Sequence, residues 1–127
     1  MVLLRYQMPG NREFGNKIRK LRDAKKAVDP KFSLRQFAKA VDISATYLSR
    51  IENGDFDPPS PETIKKMASL LETDADELLA LAGKTDPDLQ KIIMEQPKMM
   101  ADFLRKASGI SEKDLKKIIK NLPDKKD

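Results

Sequence analysis

The sequence predicts an all-α protein: a body of five helices followed by a short helical extension. Apolar residues recur at spacings of three and four along successive segments. No stretch shows the strict apolar–polar alternation of a half-buried strand. Helix-starting serines and helix-ending glycines punctuate the chain. Residues 1–10, closing on Pro9-Gly10, read as an arm. Residues 11–83 read as the body and 84–127 as the extension, divided by Gly83 and the Lys84-Thr85-Asp86-Pro87 that follows it.

The first helix runs from about Arg12 to Ala27, with Phe14, Ile18 and Leu21, extended by Ala24, along one stripe. The second opens after Ser33, a good N-cap, and turns Leu34, Phe37, Ala38 and Val41 inward. The third opens after Ser44, carries Tyr47, Leu48 and Ile51, and stops at Asn53-Gly54. Ser60-Pro61 starts the fourth, with proline where the first turn tolerates it, and Ile64, Met67, Ala68 and Leu71 form its stripe. The fifth spans about Asp74 to Ala82, with Leu78, Leu79 and Leu81. In the extension, Thr85 is expected to cap a helix carrying Leu89, Ile92 and Ile93. A second helix carries Met99, Met100, Phe103, Leu104 and Ala107 and ends at Gly109. Ser111, with Asp114 three residues on, opens a third that carries Leu115, Ile118, Ile119 and Leu122.

Composition narrows the function. The chain of 127 residues is 39% hydrophobic and 35% charged, enough apolar material for a core. It has no cysteine, so it forms neither disulfides nor thiolate metal sites. It has no histidine, which excludes Ser–His–Asp and Cys–His catalysis and removes the usual zinc ligand. The expectation is a non-enzymatic protein without metal or cofactor. Asp74, Asp76 and Glu77 read as acids favoured at a helix start. No apolar run approaches the roughly 20 residues needed to span a bilayer, and Met1-Val2-Leu3-Leu4 is too short for a signal peptide. A cytoplasmic protein without membrane association is expected. The net charge is +5, but residues 1–56 hold twelve Lys/Arg against six Asp/Glu, and the remainder is near neutral. A basic first half suits a polyanionic partner, or else a solvated basic surface.

The informative stretch is Ser33–Gly54. Two short helices are separated only by Val41-Asp42-Ile43-Ser44, which forces them to cross steeply, with the small Ala38 at the crossing. Phe37, Val41, Ile43, Leu48 and Ile51 are spaced to fill a shared core. Ala45, Thr46, Ser49 and Arg50 remain outward, a slim polar surface able to approach a DNA groove.

These residues resemble the helix-turn-helix of the Cro/CI-type (XRE) family of phage and bacterial repressors. The matching features are Phe37-Ala38, Ile43-Ser44 and the run Tyr47-Leu48-Ser49-Arg50-Ile51-Glu52-Asn53-Gly54; the resemblance covers roughly Phe14–Gly83. It implies a lambda-repressor-like fold and a regulator that binds double-stranded DNA as a homodimer. Asp42 stands where the family usually has glycine, and Leu34 where it often has a DNA-contacting glutamine, a role Arg35 can take over. The resemblance puts Ala45, Thr46 and Arg50 at base-contacting positions. An arginine can bond guanine O6 and N7 together; the alternatives for Arg50 are a phosphate contact or an internal ion pair. Ser33, Arg35 and Asn53 lie where the family grips the DNA backbone. Ser44 and Tyr47 join them as backbone contacts, unless the first only caps and the second only packs. Lys25, Lys26 and Lys31, in a loop longer than in compact members, can reach phosphates. The resemblance further implies a buried, structural pair of Glu52 with Arg22.

The extension is short for an independent domain. Met99, Met100, Phe103, Leu104, Leu115, Ile118 and Ile119 are expected to form a dimer interface. Alternatively the extension folds against the body or receives a regulatory protein partner. That last option is part of a second reading, a protein-interaction adaptor or antitoxin-like module with DNA binding secondary.

Overall fold

Side-chain caps set most of the helix starts in the structure, a computed structural model that describes residues 10–124. The arm expected at residues 1–10 lies outside the described residues except for Gly10. Asn11 accepts the Phe14 amide and opens α1 (Arg12–Lys26). Asp29, backed by Pro30, opens a single 3-10 turn (Pro30–Phe32). Ser33 opens α2 (Leu34–Ala40), Ser44 opens α3 (Ala45–Glu52), Ser60 opens α4 (Pro61–Leu71), and Asp74 opens α5 (Ala75–Leu81). In each case a side-chain oxygen accepts an amide that the first helical turn leaves without a partner. Three more helices follow: α6 (Pro87–Glu95), α7 (Pro97–Ala107) and α8 (Glu112–Asn121), the last capped by Ser111. Among the described residues there is no strand, and no helix is long and apolar enough to cross a membrane.

The core of the body draws on all five of its helices: Phe14 and Ile18 from α1, Phe37 and Ala38 from α2, Leu48 and Ile51 from α3, Ile64, Met67, Ala68 and Leu71 from α4, and Leu78 and Leu79 from α5. Most residues of the body's expected stripes are buried; Leu21, Leu34, Tyr47 and Leu81 are half-buried against the core, and Ala24 is exposed. The ends of the body are tied by polar contacts. Asn11 Nδ2 donates to the Leu81 carbonyl at 3.0 Å, joining the start of α1 to the end of α5. Lys84 Nζ donates to the Pro59 carbonyl at 3.0 Å, and Lys65 pairs with Asp86 at 3.0 Å. These bonds carry the body past Gly83, and the division into two compact units falls between Pro87 and Asp88.

In the second unit no described residue is buried. Leu89, Ile92, Phe103, Leu104, Leu115, Ile119 and Leu122 are all exposed.

Candidate nucleic-acid interface

α2 and α3 are joined by the four residues Val41, Asp42, Ile43 and Ser44. The Val41 amide closes the end of α2 on the Phe37 and Ala38 carbonyls, and the Ile43 amide returns to Ala38 at 3.0 Å. That return requires a left-handed residue between them, and Asp42 supplies it at φ 61°. Its carboxylate lies 3.0 Å from Lys66 Nζ on α4.

The inner side of α3 is locked. Leu48 and Ile51 are fully buried, and so is Glu52 at 1% exposure. Arg22 meets Glu52 with both edges matched: Nε donates to Oε2 at 2.7 Å and Nη2 to Oε1 at 2.8 Å. Its remaining nitrogen, Nη1, donates to the Phe32 carbonyl at 3.0 Å. The hydrogen bond to Glu52 raises the Arg22 pKa above its ordinary value, outweighing burial, which acts the other way. Gly15 on α1 lies against the end of α3 so closely that a Cβ there would sit 2.3 Å from the Ile51 carbonyl oxygen. The pair and the glycine together fix the roll of α3 and so decide which residues face outward.

Thr46, Ser49, Arg50 and Asn53 follow at one-face spacing on that outer side. With Ala45 and Leu34 they line one open, shallow depression. The Arg50 side chain is 55% exposed, with Nη1 3.6 Å from Asp55 Oδ2 and its guanidinium carbon 6.0 Å from the Phe56 ring centre. Asn53 Oδ1 accepts from Arg19 Nη2 at 2.6 Å.

Residues 13–81, more than half of the chain, match the family model described as a helix-turn-helix domain. The chain belongs to the helix-turn-helix family. A protein from Bacillus subtilis (strain 168), named an uncharacterised HTH-type transcriptional regulator, RghRB, is 40% identical over 70 residues, covering 55% of this chain and 47% of that protein. The HTH-type transcriptional repressor RghR of the same organism is 39% identical over 70 residues, covering 55% of this chain and 48% of its own. The match thus spans about half the length of these relatives. No solved structure matches.

The helix-turn-helix brings Ala45, Thr46, Arg50 and Asn53 together at the depression. Ser33 and Ser44 lie at the starts of its two helices, where their hydroxyls accept the Gln36 and Tyr47 amides at 3.2 and 3.0 Å. The half-buried Tyr47 ring lies 6.1 Å from that of Phe56. Lys26, Lys31 and Arg35 are exposed and form no ion pair among the described residues. Lys25 is placed differently. Its Nζ bonds Glu72 at 2.9 Å and lies 5.7 Å over the Phe32 ring, so it is engaged within the body. The same bond holds the Glu72 carboxyl below the usual carboxylate range.

Of the extension residues, Met99, Phe103, Leu104, Leu115, Ile118 and Ile119 are exposed on α7 and α8, and Met100 is half-buried. Sequence reasoning did not single out Arg19, Asp55 or Phe56. The first is visible only as one basic residue on the α1 surface. The other two follow the Gly54 stop signal and read as loop.

Proposed function

We propose that this chain is a sequence-specific regulator of transcription, a repressor that binds a palindromic DNA operator through the major groove as a homodimer. The observation that carries the reading is the outer face of α3. Thr46, Ser49, Arg50 and Asn53 are presented together on a helix whose opposite side is held by Leu48, Ile51 and the Arg22–Glu52 pair. A B-DNA major groove, about 12 Å wide, admits such a helix. Small residues at 45, 46 and 49 let its backbone come close, and Arg50 offers paired donors to guanine. Lys26, Lys31 and Arg35 supply phosphate contacts that position the body but carry no sequence information. The names borne by RghR and RghRB, a repressor and a regulator, agree with this direction.

Dimerisation is assigned to α7 and α8, whose exposed Phe103, Leu104, Leu115 and Ile119 need a partner surface. A twofold pair would place two α3 helices about 34 Å apart, one turn of DNA. The same exposed face favours one second reading, in which the extension receives a helix of another protein and the chain acts as an adaptor.

Selection of bound duplexes from a random library tests the main reading. A recovered palindrome, lost with Arg50→Ala but only weakened on all DNA by Lys31→Ala, is the expected result. Binding without sequence preference would overturn it. Light scattering on Phe103→Glu separates the two roles of the extension: half the mass of the unaltered protein is expected for a dimer. A unaltered protein that is already monomeric would leave the adaptor reading.

A further inference from the structure

Arg50 lies in the last turn of α3, and the chain beyond it folds back against it. The amides of Asp55 and Phe56 both donate to the Arg50 carbonyl, at 2.9 and 3.3 Å. Gly54, at φ 78°, makes the reversal, and its Cα is packed so closely that a Cβ there would lie 2.6 Å from Arg12 Cγ. The segment is held further on, where Asp57 Oδ1 accepts the Gly10 amide at 3.0 Å. With their backbones fixed in this way, both side chains flank the Arg50 guanidinium: the Asp55 carboxylate at 3.6 Å and the Phe56 ring at 6.0 Å. Phe56 is itself backed by Tyr47 at 6.1 Å.

We propose that Asp55 and Phe56 are positioning residues that hold the Arg50 guanidinium by one edge and thereby set the base preference of α3. This rests on the DNA-reading role given above. A guanidinium has five donors in a rigid fork. Asp55 engages Nη1, which leaves the edge formed by Nε and Nη2 for the N7 and O6 acceptors of a guanine. An arginine free in solvent gives up its rotamer freedom on binding, whereas one already held gives up much less. The carboxylate acts a second time through its charge. Half-exposed beside the surface that meets DNA, it repels phosphates and weakens binding to random sequence. That repulsion acts on every duplex alike, so the hold on the guanidinium is what widens the gap between a correct site and any other.

The test uses the full chain and fluorescence anisotropy at one fixed salt concentration. Affinities are measured for a duplex selected from a random library and for its scrambled counterpart. Asp55→Asn preserves shape and the backbone bonds to Arg50. It is expected to lower the selected-to-scrambled ratio by about two- to fivefold, with affinity for scrambled DNA rising and Tm unchanged. The relaxed preference is confined to the base pair whose identity Arg50→Ala also ceases to read. Asp55→Glu, which keeps the carboxylate, restores most of the ratio. Phe56→Leu lowers it by about two- to fivefold. The proposal is overturned if Asp55→Asn keeps the ratio while Arg50→Ala loses it. It is also overturned if Asp55→Asn tightens both duplexes equally, since the carboxylate would then act only as a repelling charge. Failure of the underlying DNA-reading role has a different signature: the unaltered protein shows no preference, and Arg50→Ala changes no ratio.

Discussion

Glu52→Ala removes both carboxylate acceptors from a guanidinium that keeps only 5% of its surface in water. Arg22 would retain its bond to the Phe32 carbonyl and a 3.8 Å ion-pair contact from Nη2 to the exposed Asp23, and Nε would be left without a partner. Breaking a buried pair from one side costs about 3–5 kcal/mol, because the remaining charge stays desolvated. For a body of this size that corresponds to a fall in Tm on the order of 20 °C. Urea denaturation followed by circular dichroism measures it, with an unchanged m-value showing that the same surface unfolds. The double replacement Arg22→Met/Glu52→Leu removes both charges and is expected to lie within about 1–2 kcal/mol of the unaltered protein. The reasoning is refuted if Glu52→Ala loses less than about 1 kcal/mol, or if the double replacement is as damaging as the single one.

Gly15→Ala should destabilise by about 2 kcal/mol or more despite alanine's better helix propensity, because its Cβ would stand 2.3 Å and 2.7 Å from the Ile51 and Glu52 carbonyl oxygens. A rise in Tm would contradict the close approach of α1 to α3. Asp42→Gly should stabilise by roughly 0.5–1 kcal/mol, since relief of the left-handed backbone exceeds the loss of an exposed pair with Lys66. Chemical denaturation that showed a clear loss would reverse that ranking. Glu72 has a carboxyl pKa lowered by its hydrogen bond from Lys25, so its contribution is present above the unfolded pKa and disappears as pH falls through the folded one. The Tm difference between the unaltered protein and Glu72→Gln should therefore be small at neutral pH and vanish in acid. A difference that persisted at the acid end would sink this assignment.

The local features were legible because they are local. Ser33, Ser44, Ser60 and Ser111 announce helix starts through the geometry of a single turn, and Gly54 announces a stop in the same way. The apolar stripes marked the core down to Phe37 and Ala38. One local signal was passed over: Asp29-Pro30 is the same cap-and-proline pair as Ser60-Pro61, and it opens the 3-10 turn inside what reads as a long loop. That turn places the Phe32 carbonyl on Arg22. The remainder depends on contacts between residues far apart in the chain, which no periodicity encodes. Lys25 looks like any loop lysine until Glu72, 47 positions away, is found beside it. Asn53 looks free until Arg19, 34 positions back, is seen to hold it. Gly15 reads as a weak point in α1, yet only glycine admits the end of α3 there. The outward set on α3 followed directly from helical spacing, whereas the hold of Asp55 and Phe56 on Arg50 required the path of the chain after Gly54.

The most direct test of α3 as the DNA-reading element is methylation interference at guanine N7, an atom that lies in the major groove. With a duplex recovered by selection, methylation of particular guanines, arranged symmetrically in the two half-sites, should block binding of the unaltered protein. Arg50→Ala should bind weakly and be indifferent to methylation at the guanine that Arg50 reads. If methylation anywhere in the site left binding of the unaltered protein unchanged, α3 would not be reading guanine edges in that groove.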